Sequence, residues 1–475
     1  MSKRRERRWR ALGVLAVAEF VFVMDGLVVG VALPSIQRRF GLPEGELQWI
    51  VNAYTIALAG FLLLGGRLGD IYGRRRAFNT GFALFGMASL SAGLAPSVVV
   101  LIAARATQGL GAALATAAVF SLVTTLFDEG RERSRAFGIL SGVGSLGVVA
   151  GAVLGGILTF TWGWESIFLL NVPISAAALV GSVLSVPESR DEGASRHLDL
   201  RSAVFITAAL ASLVAAIALW DGVGALTNSV FLAAAAIVLF IAFMWSQRRS
   251  RTPLVPTGFF AVSNVLGTDV TAALLPLGLG TCLFVGTLYL QNVAGFNALE
   301  AGLMYLPLAA ALTAFSPLVP ALVSWAGPQK VTASGYAIQG LGLFWIAVSI
   351  SPEASVWTVI LPGFLAVGVG AVTAYIPVAD LAMQGVGTTA GLASGIFNAS
   401  QHIGNAIGIA VLASVATLVT SSHLSAGLSR QEAATEGLVA AFAAGAALLA
   451  TACLLAASLL GKAEPQSEPA PAESA

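Results

Sequence analysis

Long apolar stretches separated by short polar segments dominate the chain. A helix needs about 20 mostly apolar residues to cross roughly 30 Å of hydrocarbon. Stretches of that length lie near 11–33, 47–65, 77–95, 98–126, 136–161, 167–187, 201–219, 229–246, 265–291, 298–323, 331–351, 355–384, 391–419 and 436–461. The pattern predicts fourteen transmembrane helices and therefore an all-α polytopic membrane protein.

Composition supports this class. Of 475 residues, 57% are hydrophobic and 10% are charged, whereas soluble domains carry about 25% charged residues. The formal net charge is +1, and the basic residues form short clusters between apolar stretches, which argues against a nucleic-acid partner. Cys282 and Cys453 lie inside apolar stretches without a CxxC or Cys/His spacing, so neither a disulfide framework nor a metal site is predicted.

The basic residues also predict the orientation. If the N-terminus is cytoplasmic, 21 of the 25 Lys and Arg residues fall on the cytoplasmic side. They lie in residues 1–10, 66–76, 128–135, 188–201 and 248–251 and at Lys330 and Lys462. Because short cytoplasmic loops are enriched in Lys and Arg, both termini are predicted to be cytoplasmic, in a plasma membrane.

Two charged segments divide the predicted helices into groups of six, two and six. "PESRDEGASRHLDL" (187–200) and "SQRRSRTPLVP" (246–256) flank the middle pair. The predicted units are an N-terminal six-helix bundle, two extra helices with their flanking loops, a C-terminal six-helix bundle and a disordered tail, at residues 1–187, 188–263, 264–461 and 462–475. Paired six-helix halves are common in transporters, although composition alone also allows a channel or a membrane-embedded enzyme.

The loop after the second predicted helix has a distinctive sequence, "GGRLGDIYGRRRAF" (65–78). Its glycines allow two helix ends to approach closely. Asp70 is suited to contact either a helix N-terminus or an arginine across the two halves. The alternative interpretation is a basic turn that only follows the positive-inside rule.

This loop resembles the GxLxDRxGRR loop of the major facilitator superfamily. The matching residues are Gly66, Leu68, Asp70, Gly73, Arg74 and Arg75, and Ile71 departs from the pattern. The resemblance implies a cytoplasmic gating loop. "LIAARATQGLGAA" (101–113) is similar to the fourth-helix motif of the family, which surrounds an arginine, here Arg105.

"GILSGVGSLGVVAGAVLGGIL" (138–158) resembles the fifth-helix motif of exporters in this superfamily. Gly147, Gly151 and Gly155 recur every four residues, so they form a flat stripe for close helix packing. Gly156 also matches the motif, and Gly151-Ala152 replaces its usual Gly-Pro. The resemblance implies an antiporter-type glycine helix.

Further segments resemble the fourteen-span drug:proton antiporter branch. They are "MDGLVVGVALPSI" (24–36), "WIVNAYTIALAG" (49–60), "WGWESIFLLNVP" (162–173), "YLQNVAGFNALEAGLMYLP" (289–307) and "GLASGIFNASQHIGNAIGIAV" (391–411). The resemblance implies two six-helix bundles with two extra central helices. It also implies proton-driven export of small amphipathic drugs, with no cofactor and no enzymatic activity.

Two acids in the first predicted helix need an explanation, because a carboxylate near the bilayer centre costs roughly 2.5–3.5 kcal/mol on insertion scales. The resemblance to proton-coupled exporters implies that the first-helix acid and the fourth-helix arginine approach each other. We therefore expect Asp25 to bind and release the proton and Arg105 to set its affinity; the alternative is a fixed structural ion pair. Glu19 is expected to be a second proton or cation site, or to face a water-filled vestibule.

Candidates for substrate contacts are weaker. Tyr54 is suited to stacking, and His402 either titrates or packs as a hydrogen-bonded residue. No GxxxxGK[ST] loop follows a strand, so ATP is not the expected driver. We expect a monomer whose partners are a lipophilic small molecule, protons and the lipid bilayer. An exporter of one self-made metabolite and a non-transporting membrane sensor are the alternatives.

Overall fold

A computed structural model describes residues 2–127, 131–190, 198–219, 226–250, 253–255, 265–350, 355–383 and 390–460. Helices account for nearly all of these ranges, and no strand occurs within them. The predicted tail at 462–475 and much of the loops in 188–263 lie outside the described residues.

Seven helices form the N-terminal part. They are α1 (Ser2–Phe40), α2 (Glu44–Tyr72), α3 (Arg74–Gly93), α4 (Val98–Leu126), α5 (Arg131–Trp162), α6 (Glu165–Leu169) and α7 (Asn171–Ser185). The sixth predicted span is divided between α6 and α7, with the interruption at Leu170. Pro173 accounts for the break, since it has no N–H to donate to the carbonyl of Leu169 one turn earlier.

The two extra predicted spans form α8 (Leu200–Ala218) and α9 (Leu226–Arg249). Helix α8 packs against α2, where Thr207 fills the space beside Gly60. It also contacts the C-terminal part, because the Ser414 hydroxyl donates a 2.8 Å hydrogen bond to the Ile217 carbonyl. Helix α9 packs on α8 and leaves a largely apolar surface exposed. The first extra helix therefore contacts both halves of the protein.

The C-terminal part is more interrupted. Its first span contains α10 (Val265–Leu274), α11 (Pro276–Thr281) and two π-helical turns, and its second contains α12 (Ala298–Leu303), α13 (Leu306–Phe315) and α14 (Val319–Ala326). The others are α15 (Pro328–Ser349), α16 (Val356–Met383), α17 (Ala390–Ser425) and α18 (Arg430–Leu459). Prolines at 276, 307, 317 and 320 remove backbone donors at these interruptions.

The all-α polytopic class is confirmed, but the count of fourteen spans stays a prediction. Among the described residues, twelve segments are long and apolar enough to cross a membrane. The predicted spans at 77–95 and 136–161 are helical as α3 and α5 but are not among the twelve. Helix α3 begins with three arginines, which lower its hydropathy.

The two halves contact each other along α2 and α17, and they share an extensive apolar cluster toward one end of the bundle. We call the end with the α2–α3 turn, Arg74–Arg76, the basic end, and the opposite end the far end. One apolar cluster runs through the C-terminal bundle and continues into far-end residues of α1, α2, α4, α6 and the α5–α6 turn. A second cluster fills the N-terminal bundle at the basic end and takes one described residue, Ala399, from the C-terminal half.

Polar contacts between the halves also lie at the far end. The Gln291 side chain donates a 2.8 Å hydrogen bond to the Val31 carbonyl of α1, and Asn292 donates to Gln37 at 3.3 Å. At the same end, α5 approaches α12 closely, because a Cβ added to Gly156 would lie 2.7 Å from the Ala298 carbonyl oxygen. The far end is therefore closed by direct contact between the halves.

Candidate functional site

A buried ion pair joins α1 to α4. Arg105 Nη1 donates to Asp25 Oδ2 at 2.6 Å, and both side chains are fully buried. Hydrogen bonds between two charged groups are about twice as strong as neutral ones. Removing one partner of such a buried pair is strongly destabilising, because the remaining charge is left uncompensated.

Arg105 is held by further contacts with α2 and its own helix, and through Gln108 it is linked to α3. Its Nε donates to the Ile50 carbonyl at 3.1 Å, and Nη1 also donates to Gln108 Oε1 at 3.0 Å. Gln108 in turn donates to the Ser89 hydroxyl at 2.7 Å. These bonds fix the orientation of the guanidinium group and tie four helices to it.

Two aromatic rings cover the guanidinium group of Arg105. Its Cζ lies 4.4 Å from the centroid of the Tyr54 ring and 5.9 Å from that of the Phe168 ring. Both distances are within the range of a cation–π interaction. Tyr54, predicted from the sequence as a weak substrate contact, is 4% exposed and packs on the ion pair; its role in substrate binding stays a prediction.

Asn171, the first residue of α7, is a site residue that sequence reasoning missed. Its Nδ2 donates to Asp25 Oδ1 at 2.7 Å, so both oxygens of the Asp25 carboxylate accept a hydrogen bond. Asn171 belongs to the "WGWESIFLLNVP" stretch, but nothing in the sequence assigns its amide to Asp25. Only the break between α6 and α7 places it there.

Glu19 lies apart from this ion pair. Its side chain is half-buried on α1, and a Cβ added to Gly144 of α5 would lie 3.8 Å from Glu19 Oε1. It is within electrostatic range of Tyr54 and of Tyr375 on α16. Tyr375 is 45% exposed and belongs to the C-terminal half. Glu19 therefore lies beside α5, on the basic-end side of Asp25.

His402, the second weak substrate candidate, is half-buried on α17. None of the hydrogen bonds or ring contacts of Asp25 and Arg105 involves it. Of the two weak substrate candidates, Tyr54 therefore contacts the Asp25–Arg105 ion pair and His402 does not.

The predicted gating loop is held by ion pairs within the N-terminal half. Arg74 Nη2 donates to Asp70 Oδ1 at 2.9 Å, and its Nη1 also binds the Thr125 hydroxyl at the end of α4. Asp70 on α2 therefore forms this ion pair with the first residue of α3, within the N-terminal half. Gly73 adopts φ +112°, and Gly66 lies on α2 where a Cβ would meet Ala117 of α4 at 3.8 Å.

Glu188, in the segment after α7, is a second residue that sequence reasoning missed. It accepts a 3.1 Å hydrogen bond from the Arg75 backbone N–H, and its Oε2 lies 3.8 Å from Arg75 Nε and 3.7 Å from Arg76 Nε. The Arg74 backbone N–H donates to the Ser189 carbonyl at 2.8 Å. The segment that leaves the N-terminal bundle thus lies directly against the loop.

The glycines of α5 face α1, the helix that contains Asp25. Added Cβ atoms at Gly147, Gly151 and Gly155 would lie 3.0 Å from the Phe20 carbonyl oxygen, 2.9 Å from the Met24 carbonyl oxygen and 2.9 Å from Val28 Cγ2. Gly156 faces α12 instead. The three-glycine stripe therefore permits close contact between α1 and α5.

These features define a polytopic helical membrane protein with two facing bundles and a buried ion pair in one of them. The family model of the Major Facilitator Superfamily matches residues 15–409. The chain therefore belongs to this superfamily of membrane transporters, and the resemblance of its loop and helix motifs to that family is confirmed.

Two relatives and one solved structure are especially similar to the chain. It is 37% identical to "Multidrug resistance protein Stp" of Mycobacterium tuberculosis (strain CDC 1551 / Oshkosh) over 86% of this chain and 76% of the relative. It is also 37% identical to "Cephamycin export protein CmcT" of Amycolatopsis lactamdurans, over 86% and 85%. A crystal structure of the peptide transporter POT has a TM-score of 0.66 at 16% identity, covering 95% of this chain and 96% of that one.

Proposed function

We propose that this protein is a proton-coupled antiporter that exports small amphipathic drugs or antibiotics across the plasma membrane by alternating access. The superfamily membership supports transport, and relatives named for multidrug resistance and cephamycin export support this substrate class. Recognition of such compounds would rest on shape and on apolar and aromatic surface, because the spans contain few charges.

The observation that carries the proposal is the fully buried ion pair between Asp25 and Arg105. Ionisable side chains inside a membrane are costly and commonly mark ion or proton pathways. Protonation of Asp25 would remove its negative charge, leave Arg105 without a counter-ion and change the contact between α1 and α4. Substrate binding would favour the opposite charge state and thereby couple the two fluxes.

The packing of the halves supports a cytoplasm-facing state in this proposal. The positive-inside rule assigns the basic end, and with it both termini, to the cytoplasm. The shared apolar cluster at the far end would then close the extracellular side, while the described residues of the basic-end cluster come from the N-terminal half except for Ala399. The loop containing Gly66, Asp70, Gly73, Arg74 and Arg75 would act as the cytoplasmic gate.

The proton gradient would supply the energy. One pH unit contributes about 1.36 kcal/mol per proton, and the membrane potential contributes about 2.3 kcal/mol per charge for each 100 mV. The proposal includes no cofactor and a monomeric transporter whose partners are the lipophilic substrate, protons and the bilayer. An exporter dedicated to one self-made metabolite is the second candidate, because one relative is named for export of a single antibiotic class.

The test uses energised inverted membrane vesicles and a pH-sensitive dye. Lipophilic cations, neutral amphipaths and natural-product antibiotics are added one at a time, and we expect at least one to trigger proton release from vesicles with the wild-type protein. Asp25→Asn should abolish that release at equal expression. Glu436→Gln, which neutralises an exposed acid on α18, is the matched control and should respond like wild type. Equal responses of Asp25→Asn and wild type would contradict the proposal.

A further inference from the structure

The first span of the C-terminal half changes its helical form on the way to the far end. It is α-helical as far as Thr281 and then contains π-helical turns at Cys282–Gly286 and Tyr289–Val293. In a π-helical turn the backbone hydrogen bond reaches back five residues instead of four, so the turn holds one extra residue. Such turns are rare and frequently lie at functional sites. We call residues 282–293 the π segment.

Tyr305 contacts the first π-helical turn from the interruption between α12 and α13. Its hydroxyl donates to the Cys282 carbonyl at 3.0 Å and lies 2.7 Å from the Thr287 hydroxyl. The Thr287 hydroxyl in turn lies 2.7 Å from the Leu283 carbonyl oxygen. Side chains that bond to backbone carbonyls in this way interrupt the regular hydrogen-bond ladder of an α-helix. The two hydroxyl groups therefore support the widened turn at its first two residues.

The ring of Tyr305 is held separately from its hydroxyl. It stacks on Phe364 of α16 with 5.1 Å between ring centroids and an interplanar angle of 17°. Gly286, in the same π-helical turn, leaves room for both rings, because an added Cβ would lie 3.2 Å from Phe364 Cζ and 3.4 Å from the Tyr305 oxygen. Removal of the hydroxyl alone should therefore leave the ring in place.

The π segment also forms contacts with α1 that close the far end. A Cβ added to Gly30 would lie 3.5 Å from the Leu283 carbonyl oxygen, and Gln291 donates to the Val31 carbonyl at 2.8 Å. A shift of one residue in helical register rotates the following residues by about 100° and moves them by about 1.5 Å along the axis. Rewinding of the first π-helical turn to an α-helix would therefore turn Gln291 away from α1.

On the basis of the proposed alternating access, we infer that Tyr305 is a positioning residue that holds the π segment in its π-helical form and thereby keeps the far end closed. When the Tyr305 hydroxyl leaves the Cys282 carbonyl, the turn rewinds to an α-helix, Gln291 leaves Val31 and the far end opens. The described hydrogen bonds of the Asp25–Arg105 ion pair do not involve Tyr305. Tyr305 therefore acts on the opening step.

The test measures access to a cysteine at the far end, in a background with alanine at Cys282 and Cys453. Val31→Cys is the reporter, because Val31 is fully buried in the cluster that joins the halves. Tyr305→Phe keeps the ring on Phe364 and removes only the hydroxyl. We expect a membrane-impermeant maleimide to label the reporter in intact cells about fivefold faster with Tyr305→Phe, the equilibrium shift that corresponds to one neutral hydrogen bond.

Two controls separate this effect from general loosening of the protein. Tyr336 is a fully buried tyrosine whose hydroxyl donates to the Thr271 carbonyl at 2.7 Å, on the α-helical part of the same span. Tyr336→Phe is therefore the matched control and should leave labelling of Val31→Cys unchanged. Ala118→Cys, fully buried in the basic-end cluster, should stay slowly labelled in inverted vesicles whether or not Tyr305→Phe is present.

Thr287→Val replaces the second hydroxyl with a methyl group and should accelerate labelling of Val31→Cys as Tyr305→Phe does. Unchanged labelling in Tyr305→Phe and Thr287→Val, or equal acceleration by Tyr336→Phe, would overturn the inference. Fast labelling of Val31→Cys with Tyr305 present would also overturn it, because the far end would then not be closed. Labelling needs neither substrate nor a pH gradient, so its result is separate from the vesicle test of antiport.

Discussion

Asp25 and Arg105 form a 2.6 Å ion pair between two helices that are far apart in the sequence, and neither side chain is exposed. The pair is completed by Asn171, which donates to the second carboxylate oxygen at 2.7 Å. Each charge thus depends on contacts from several helices, so a change in the charge of Asp25 alters packing across the N-terminal bundle. Substitution of a residue that contacts Asp25 or Arg105 should therefore change both stability and proton coupling.

Asn171→Ala should destabilise the protein by about 1.5–3 kcal/mol, the usual contribution of a hydrogen bond to a charged group. Its effect should appear as a lower thermal midpoint of the purified protein. Asn398→Ala is the matched control, because the Asn398 amide donates to the Ser394 carbonyl one turn earlier on its own helix. If the two variants unfold at the same temperature, the Asn171 contact contributes little to the stability of the ion pair.

Arg105→Lys should keep a positive charge near Asp25 and still impair coupling. A lysine cannot reproduce the simultaneous bonds to Ile50, Gln108 and Asp25, nor the planar stacking on Tyr54. We expect substrate-triggered proton release to fall by about tenfold or more, consistent with the loss of at least one charged hydrogen bond. The measurement is the dye response in vesicles, and a response equal to wild type would show that charge alone is sufficient.

Gly151→Ala should weaken the contact between α1 and α5, since its Cβ would lie 2.9 Å from both Leu27 Cβ and the Met24 carbonyl oxygen. Such overpacking typically costs 1–3 kcal/mol. Gly142→Ala is the same change on the same helix with no described atom within 4 Å. It should be neutral or stabilise by up to about 1 kcal/mol, because alanine favours helix formation. Thermal unfolding compares the two, and equal destabilisation would contradict close α1–α5 packing at Gly151.

Gly73→Ala should disrupt the contact between the gating loop and Glu188, whereas Gly41→Ala should leave it intact. Gly73 has φ +112°, and its Cβ would lie 2.6 Å from Glu188 Oε1, whereas Gly41 has φ +65° and no described atom within 4 Å. Gly41→Ala carries backbone strain of about 1–2 kcal/mol. Gly73→Ala is also strained at φ +112° and ψ 130°, outside the left-handed helical region, and it additionally displaces Glu188 from Arg75. We expect lower export activity for Gly73→Ala at equal expression, with Gly41→Ala close to wild type; the reverse order would contradict a role for this contact.

Single cysteines in a background without Cys282 and Cys453 test which side of the protein is open. Tyr375, on α16, is 45% exposed, whereas Tyr336 is fully buried in the C-terminal bundle. A membrane-impermeant maleimide should label Tyr375→Cys faster in inverted vesicles than in right-side-out cells, and it should label Tyr336→Cys slowly in both. Faster labelling of Tyr375→Cys from the outside would contradict the proposed orientation or access state.

Much of the fold could be predicted from the sequence, because apolar stretches of membrane length and proline positions are local signals. The spacing of Gly147, Gly151 and Gly155 also predicts a packing stripe, although only the structure shows that its partner is α1. The number of spans is harder to predict, since α3 combines a polar start with an apolar remainder. Helix α3 therefore packs as part of the bundle although its hydropathy does not identify it as a span.

The contacts of the candidate site were less predictable. Asp25 and Arg105 are recognisable because charges are rare in membrane spans. Asn171 and Glu188 are ordinary residues in the sequence, and their contacts depend on the break before α7 and on the segment after it. The unpartnered hydroxyl of Tyr54 likewise depends on three-dimensional burial, which an aromatic residue in an apolar stretch does not reveal.

The most direct test of the central claim is the pH dependence of substrate binding to the purified protein. A substrate from the vesicle screen is titrated calorimetrically at several pH values in buffers of different ionisation enthalpy, which also counts the protons released. Proton coupling through Asp25 predicts that wild type releases protons on binding and gains affinity with rising pH, by up to about tenfold per pH unit per proton. Asp25→Asn should bind without that release. Wild-type binding that is independent of pH, with no proton released, would contradict proton coupling through Asp25.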